Sequence, residues 1–359
     1  MIVYAALVVY LALLGIAFSS MRKGPFVRGV FALLSFGAFA VIMGLRAPTV
    51  GIDTAPYEGY YTRIGLSDDF MHIVNAAPVY SLFNKALYLI CPDPQFLVIC
   101  CSLIICGGVA FFAYHCSRNV LWSAFFYLTF YFFCNAMNGM RQAVAMALCL
   151  VAFTVVLKWR KWLVALLLSI MAAGVHVTCL IFAPFVFAPL LRLTKETFAR
   201  LSVAIVVVIV VGSVSIKLLL ALFSTLFPGY YGQYIDILLG DAFAASGKNL
   251  IQTAFYAVLL FAFYWMCVRE RHDREARALF LPVLCGLALS TVFFQNYLLG
   301  ARIPLYCTVV LIAIVPNMLE RLGKTKMAVA SGLVFVSLSL LFILLSGNYA
   351  GVVPYEMVV

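Results

Sequence analysis

The chain has 359 residues and a formal net charge of +11; 66% of its residues are hydrophobic and only 10% are charged. A soluble protein of this size could not bury so much apolar surface, so the composition excludes a soluble globular fold. Apolar runs of about 17–25 residues, the length that crosses a bilayer, recur along the chain and predict a membrane protein.

We predict an all-α, polytopic membrane protein that forms one integral membrane domain over residues 1–359, with about twelve transmembrane helices. The predicted spans lie near residues 1–20, 29–45, 96–114, 120–135, 142–157, 163–175, 177–191, 201–222, 250–268, 279–295, 303–319 and 327–346. The first run has no positively charged start and no small-residue cleavage site, so we interpret it as a retained helix and not as a signal peptide.

The stretch PVYSLFNKALYLI, residues 78–90, is not counted among the spans because its apolar residues fall on one face of a helix. That face carries Val79, Leu82, Phe83, Ala86, Leu87 and Ile90. Ser81, Asn84 and Lys85 lie on the opposite face. The pattern predicts an extracytoplasmic helix that lies in the membrane interface and does not cross it.

The distribution of lysine and arginine predicts an extracytoplasmic N-terminus. In that orientation seventeen of the 24 Lys and Arg residues fall in six short cytoplasmic loops, at residues 21–28, 115–119, 158–162, 192–200, 269–277 and 320–326. Positively charged loops are retained in the cytoplasm, and this explains the net charge without a role for nucleic acid. The long loops 46–95 and 223–249 are then extracytoplasmic, and chemistry is expected on that outer face.

Three arginines are predicted at the outer hydrocarbon boundary, against the positive-inside rule. Arg46 closes one span, whereas Arg141 and Arg302 each open another. A lone arginine that extends to the headgroups explains any one of them equally well. Three at one depth favour a diphosphate site, because guanidinium groups match phosphate oxygens and helix N-termini attract anions.

Two further residues are candidates for accepting a proton. His176, between two short spans, has an ordinary pKa near neutrality and could act as a general base, although a packing histidine is the alternative. Asp53 stands in a Gly-x-Asp-Thr turn, which can fix the direction of a carboxylate but is also typical of a purely structural turn.

Sugar-binding residues are predicted in the outer loops. Tyr57, Tyr231 and Tyr234 offer aromatic faces, and Asp236 offers a carboxylate beside them. Tyrosines at this depth are also typical of the aromatic belt of a membrane protein. We expect neither a metal nor a cofactor, since no motif for ATP, nicotinamide or zinc occurs and the cysteines lie mostly within apolar runs.

The chain resembles the EpsG family of polysaccharide polymerases, which is close in role to the Wzy O-antigen polymerases. The resemblance rests on LRAPTVGIDTAPY at 45–57, YSLFNKAL at 80–87, NGMRQAVAMAL at 138–148, GVHVTCLI at 174–181, ARIPLY at 301–306 and VPYE at 353–356. The Arg141-Gln142 pair and the Gly-x-Asp-Thr turn are its most specific parts. The chain departs from the family at Ala77, where the resemblance leads us to expect a glutamate.

This resemblance implies a membrane glycosyltransferase with a GT-C-like helical core in the bacterial inner or plasma membrane. Its substrates would be oligosaccharide repeat units on undecaprenyl diphosphate, joined on the outer face after a flippase has acted, in a pathway that can include a chain-length regulator. Arg141, Arg302, Arg46 and Gln142 would bind the diphosphate. A glycan ligase, a flippase or other transporter, and a membrane acyltransferase are the alternatives.

Overall fold

The computed structural model of the protein describes residues 1–18, 24–73, 77–226, 248–269, 273–294 and 298–358. This part of the chain is helical and contains no β-strand, as expected for segments that must satisfy their backbone hydrogen bonds inside a bilayer. Contacts divide the chain into two compact units, one formed by residues 1–187 with 315–359 and the other by residues 188–314.

Twelve α-helices lie wholly or partly in the described residues of the first unit. They are α1 (Ile2–Ala17), α2 (Pro25–Gly44), α3 (Thr54–Leu66), α4 (Pro78–Ile90), α5 (Pro94–Cys116), α6 (Val120–Thr129), α7 (Phe132–Asn138), α8 (Met140–Trp159), α9 (Trp162–Val175), α10 (Ala183–Phe187), and, after the second unit, α15 (Leu311–Leu319, which begins at the boundary) and α16 (Lys326–Gly347). Helices α2, α5, α8 and α9 pack side by side in sequence order. Gly108 of α5 meets Ala147 of α8, and these small residues let the two backbones approach closely.

The second unit contains α11 (Lys195–Leu226), α12 (Lys248–Phe263), α13 (Arg274–Val292) and α14 (Leu305–Thr308). Helix α13 packs against each of the other three. Buried Arg277 of α13 donates a hydrogen bond to the carbonyl of Leu193, so the predicted basic loops 192–200 and 269–277 meet at one end of this unit.

Six helical segments in the described residues are long and apolar enough to cross a membrane. They are Pro25–Gly44, Pro94–Cys116, Met140–Trp159, Leu250–Val268, Arg274–Val292 and Lys326–Gly347, and each overlaps a predicted span. The number rises to eight if each of two bent pairs is one span. The chain is therefore a multi-pass helical membrane protein, and the count of twelve spans stays a prediction.

Two predicted spans are broken in the structure. Span 120–135 is interrupted between α6 and α7, which meet at an angle of 60° where Tyr131 has a φ of 69°. Span 303–319 is bent by 50° between Gly300–Thr308 and Leu311–Leu319. A positive φ is rare for a tyrosine, so a tyrosine in the sequence gives no sign of such a turn. The apolar pattern of residues 120–135 therefore does not predict the first break.

Basic loops gather at one end of the first unit. Arg28 donates to the carbonyl of Ser117 over 2.8 Å, and Asn317 donates to the carbonyl of Cys116 over 2.8 Å. The rings of His115 and Trp159 pack 4.8 Å apart at the same end. Three of the six loops that the sequence assigns to one side of the membrane therefore meet here, beside the end of α15.

Helix α4 matches the predicted stretch 78–90 from end to end. Its Tyr80, Ser81 and Asn84 are buried against the protein, whereas Leu89 and Ile90 are 77% and 73% exposed. The polar side therefore faces inward and apolar residues face outward. This orientation suits a short helix whose outer surface contacts lipid, and its place in the interface stays a prediction.

Candidate functional site

The loop from Leu45 to Asp53 forms the base of a site at the end of the first unit opposite the basic loops. Its turn depends on Gly51, which has a φ of +90°. A Cβ at this position would lie 2.8 Å from Thr54 Oγ1 and 2.9 Å from the carbonyl oxygen of Met137. The first residue of the Gly-x-Asp-Thr turn therefore needs both the conformational freedom and the small size of glycine.

The aspartate and the threonine of this turn are held by hydrogen bonds. The Asp53 N–H donates to Oδ1 of Asn138 over 3.0 Å, and the Thr54 hydroxyl donates to the carbonyl of Val50 over 2.7 Å. Asn138 is the last residue of α7. The turn is thus fixed against the corner between α7 and α8, and half-buried Asp53 stands at the start of α3.

Arg46 is fully buried beneath this turn. Its guanidinium donates to the carbonyls of Met43 and of Met137, the latter over 3.1 Å, and to Thr54 Oγ1 over 3.4 Å. Burial lowers the pKa of Arg46 to about 10, which still leaves it protonated at neutral pH. Arg46 was predicted to bind diphosphate, but its donors are directed at the protein, so it acts as a clamp that joins α2, α3 and α7.

Arg141 has different surroundings in the first turn of α8. Its guanidinium carbon lies 5.8 Å from the centre of the Tyr80 ring, and the rings of Tyr80 and Tyr57 meet edge to face at 6.3 Å. Within the described part of the chain, its buried Nε has no hydrogen-bond partner. Gln142 follows as a buried residue of the same turn. The geometry leaves a donor of Arg141 available to an anion at a helix N-terminus.

His176 lies just beyond α9, in extended backbone. Its Nδ1 is 2.6 Å from the Thr178 hydroxyl, which fixes the orientation of the ring. Two residues earlier, Gly174 packs so closely on α4 that a Cβ there would lie 2.3 Å from Cγ2 of Val79. The end of α9 and the start of α4, which carries Tyr80, therefore lie together.

Glu58, a residue that the sequence did not single out, belongs to the same region. It lies one turn after Thr54 on α3, and its Oε1 is buried without a hydrogen-bond partner among the described residues. Burial raises the pKa of Glu58; the charge of Arg46 opposes this shift and the Asp93 carboxylate adds to it. Nothing in the local motif distinguishes it from an exposed helix glutamate, because its burial depends on residues far away in the chain.

The segment from Ala350 to Met357 packs on the loop that carries Arg46. The Ala47 N–H donates to the Glu356 carbonyl over 2.9 Å, and the Gly51 N–H donates to the Gly351 carbonyl over 2.8 Å. Tyr355 donates to the carbonyl of Ile42 over 2.8 Å. The VPYE motif is therefore part of the support of the site.

The remaining predicted site residues lie outside the described part of the first unit. Arg302 lies in the second unit, where it ends the π-helical turn Leu298–Arg302 instead of opening a helix as predicted. The next α-helix begins only at Leu305, and the 50° bend of this span lies further along, between Thr308 and Leu311. Tyr231, Tyr234 and Asp236 lie outside the described residues.

Comparison with known proteins identifies the family of the chain. The sequence model of the EpsG family matches residues 29–357, nearly the whole chain. No curated protein and no solved structure matches it. The match includes the Gly-x-Asp-Thr turn, the Arg141-Gln142 pair and the VPYE segment that the fold brings to one end of the first unit. The chain therefore belongs to the EpsG family, a Wzy-like family of polysaccharide polymerases.

Proposed function

We propose that the protein polymerises oligosaccharide repeat units carried on undecaprenyl diphosphate, as a membrane glycosyltransferase with a GT-C-like core. The observation that carries this proposal is Arg141, whose buried Nε has no partner in the described residues and whose guanidinium sits over Tyr80. A buried donor without a partner costs about 1–3 kcal/mol, so a ligand that accepts its hydrogen bond would recover that energy.

A lipid diphosphate suits this position for three reasons. Guanidinium keeps its charge and matches the spacing of phosphate oxygens. The first turn of α8 adds the positive end of the helix dipole. Helix α4, with Leu89 and Ile90 exposed on its outer side, offers an apolar surface beside the site along which an isoprenoid chain can pack.

The reaction is a glycosyl transfer. A hydroxyl of the incoming repeat unit attacks the anomeric carbon of the nascent glycan, and a new C–O bond forms. The bond from that carbon to the diphosphate oxygen breaks, and undecaprenyl diphosphate leaves with the electron pair. Arg141 stabilises the charge that develops on the leaving oxygen, with Gln142 beside it, and Arg46 holds the turn next to these two residues. Arg302 is a further candidate on the evidence of the sequence alone.

Other residues of this end have supporting roles in the proposal. Asp53 and His176 are the sequence candidates for accepting the hydroxyl proton, and Tyr57 offers a ring to the sugar. Tyr231, Tyr234 and Asp236 are further candidates for the sugar site. The basic loops at the opposite end orient the site toward the outside of the bacterial inner or plasma membrane, where a flippase supplies the substrate.

Reconstitution tests the proposal. Purified full-length protein in detergent is given a synthetic undecaprenyl-diphosphate repeat unit, and the products are separated on a gel. We expect a ladder of glycans from the wild type and from Arg63→Ala, because Arg63 is exposed on α3, where its guanidinium lies over Tyr60 and donates to the Gly59 carbonyl of the same helix.

Each other outcome has a defined meaning. A wild type without a ladder, under conditions in which the protein is folded, contradicts the proposal. Transfer of a single glycan to a different acceptor, without growth of a ladder, would instead assign the protein as a ligase.

A further inference from the structure

We propose that Glu58 is the catalytic base that takes the proton from the attacking sugar hydroxyl. The inference rests on the proposed glycosyl transfer and names a residue of the same site. The Glu58 side chain on α3 is partly exposed to solvent. Its Oε1 is nevertheless buried and accepts no hydrogen bond from the described residues.

The position of Glu58 follows from its helix. Residues four apart lie on the same face, so Glu58 stands directly after Thr54, whose hydroxyl accepts a hydrogen bond from Arg46 Nε. The other donors of Arg46 are taken by the carbonyls of Met43 and Met137. Glu58 is therefore close enough to Arg46 to feel its charge but is not neutralised by a direct bond to it.

The neighbouring charged residues Asp93 and Lys85 form hydrogen bonds elsewhere and not with the Glu58 carboxylate. Asp93 caps α5 by accepting the Gln95 N–H over 2.9 Å. Lys85 of α4 donates to the carbonyls of Gly65 and Ser67, at the far end of α3. The groups that act on Glu58 are thus one fixed cation and one fixed anion, and a substrate hydroxyl can supply the missing donor.

Glu58 is also joined to the diphosphate site through its neighbour in the chain. Tyr57 contacts the Tyr80 ring, over which Arg141 lies. Tyr57 and Glu58 are consecutive residues of α3, so the helix backbone fixes the position of one relative to the other. The base and the residue that stabilises the leaving group are therefore positioned by one rigid set of contacts, as a displacement reaction requires.

The step balances without any further reactant. As the hydroxyl oxygen bonds to the anomeric carbon, its proton passes to the Glu58 carboxylate. The electrons of the broken carbon–oxygen bond leave with the diphosphate. Glu58 then returns the proton to water, which its partial exposure allows.

Kinetics of the reconstituted enzyme test this assignment. Glu58→Gln should lower the rate of polymerisation about 100-fold or more, the usual contribution of a general base, and leave the affinity for a non-cleavable donor analogue unchanged. Asp68→Asn is the matched control, since Asp68 is an exposed acid just beyond the same helix, and its rate should equal that of the wild type.

The pH profile provides a readout that a structural role would not change. Protonation of Glu58 should lower the wild-type rate on the acid side, at a pH above the range of an ordinary glutamate because burial raises this pKa. Glu58→Asp should keep this acid limb at a reduced rate, whereas the residual rate of Glu58→Gln should lack it. Rates are normalised to the amount of folded protein, so that a smaller folded fraction of one variant does not affect the comparison.

Three results would overturn the assignment while the proposed function stands. The first is a ladder from Glu58→Gln at the wild-type rate. The second is an acid limb that persists in Glu58→Gln. The third is a loss of rate matched by a loss of donor affinity. A wild type that forms no ladder would remove the proposed function itself, and the inference with it.

Discussion

Arg46 and Arg141 lie in the same part of the first unit but have different surroundings. All three nitrogens of the Arg46 guanidinium donate hydrogen bonds within the protein, and its side chain is fully buried. Arg141 has a ring of Tyr80 on one side and a buried Nε without a partner in the described residues. The sequence shows both as arginines at span ends, and only the contacts distinguish the clamp from the arginine that we propose binds the ligand.

Replacement of Arg141 tests this distinction. Arg141→Ala should abolish the polymer while the protein stays at its normal level in the membrane, because its guanidinium makes no hydrogen bond that supports the fold in the described residues. Arg141→Lys should also be poor, since a point charge cannot replace the planar fork. Polymer on a gel and protein on an immunoblot are measured together, and the single lipid-linked unit should accumulate.

The same experiment has two informative failures. Full-length polymer from Arg141→Ala would remove Arg141 from the site. Loss of the protein from the membrane would indicate an arginine that merely anchors its helix.

Gly51 gives a prediction about stability. Gly51→Ala should destabilise the fold by about 1–3 kcal/mol, because alanine disfavours a positive φ and its Cβ would meet Thr54 and Met137. The change is measured as a lower midpoint of thermal unfolding in detergent. Gly59→Ala is the control, since a Cβ at Gly59 in α3 would meet nothing within 4 Å. Equal midpoints for the two variants would contradict the assigned role of the turn.

At the scale of the helices, the sequence predicts those elements that depend on local pattern. Six predicted spans are confirmed as long apolar helices, and α4 is confirmed as a helix of 13 residues, because apolar length and helical periodicity are visible in a single stretch of chain. The breaks in the predicted spans 120–135 and 303–319 are not visible in that way. They depend on packing against distant helices, as at Tyr131, where no glycine or proline marks the bend.

The site shows the same division. The Gly-x-Asp-Thr turn and the arginine at the start of α8 are where the sequence places them. The burial of Glu58 and the approach of Tyr80 to Arg141 bring together residues that are far apart in the chain. No spacing rule connects them, so only the fold identifies Glu58 as a candidate base.

The contact between α9 and α4 gives a prediction at this scale. Gly174→Ala should reduce polymerisation, because its Cβ would lie 2.3 Å from Cγ2 of Val79 and would push α4, with Tyr80, away from Arg141. Removing the obstructing methyl groups should restore the fit, so the double variant Gly174→Ala, Val79→Ala should recover activity. The gel assay and a double-mutant cycle measure this coupling.

Gly107 is a control that separates the effect of the packing contact from the effect of alanine on helix propensity. Gly107→Ala, in the middle of α5, should leave activity unchanged because nothing lies within 4 Å of its Cβ. A double variant as inactive as Gly174→Ala would show that the spacing of these two helices does not control the site.

At the scale of the whole molecule, the first unit has its basic loops at one end and its candidate site at the other. The loops with Arg28, Arg118 and Lys158 belong to one end, and the turn with Asp53 and the first turn of α8 belong to the other. The positive-inside rule predicts that the basic end is cytoplasmic. In the proposed orientation the group around Arg141 faces outward, where the proposed lipid-linked substrate is found only after it has been flipped.

Labelling of single cysteines tests this orientation. In a background without the native cysteines, Asp68→Cys should react with an impermeant maleimide in whole cells, after the outer membrane is permeabilised if one is present. Lys324→Cys should react only in broken membranes, because it belongs to the predicted cytoplasmic loop 320–326. Both positions are exposed, so a difference between them reports the side of the membrane and not burial. The reverse pattern would place the Arg141 site in the cytoplasm, where the proposed substrate is made but not polymerised, and would contradict the assignment of this site to repeat-unit polymerisation.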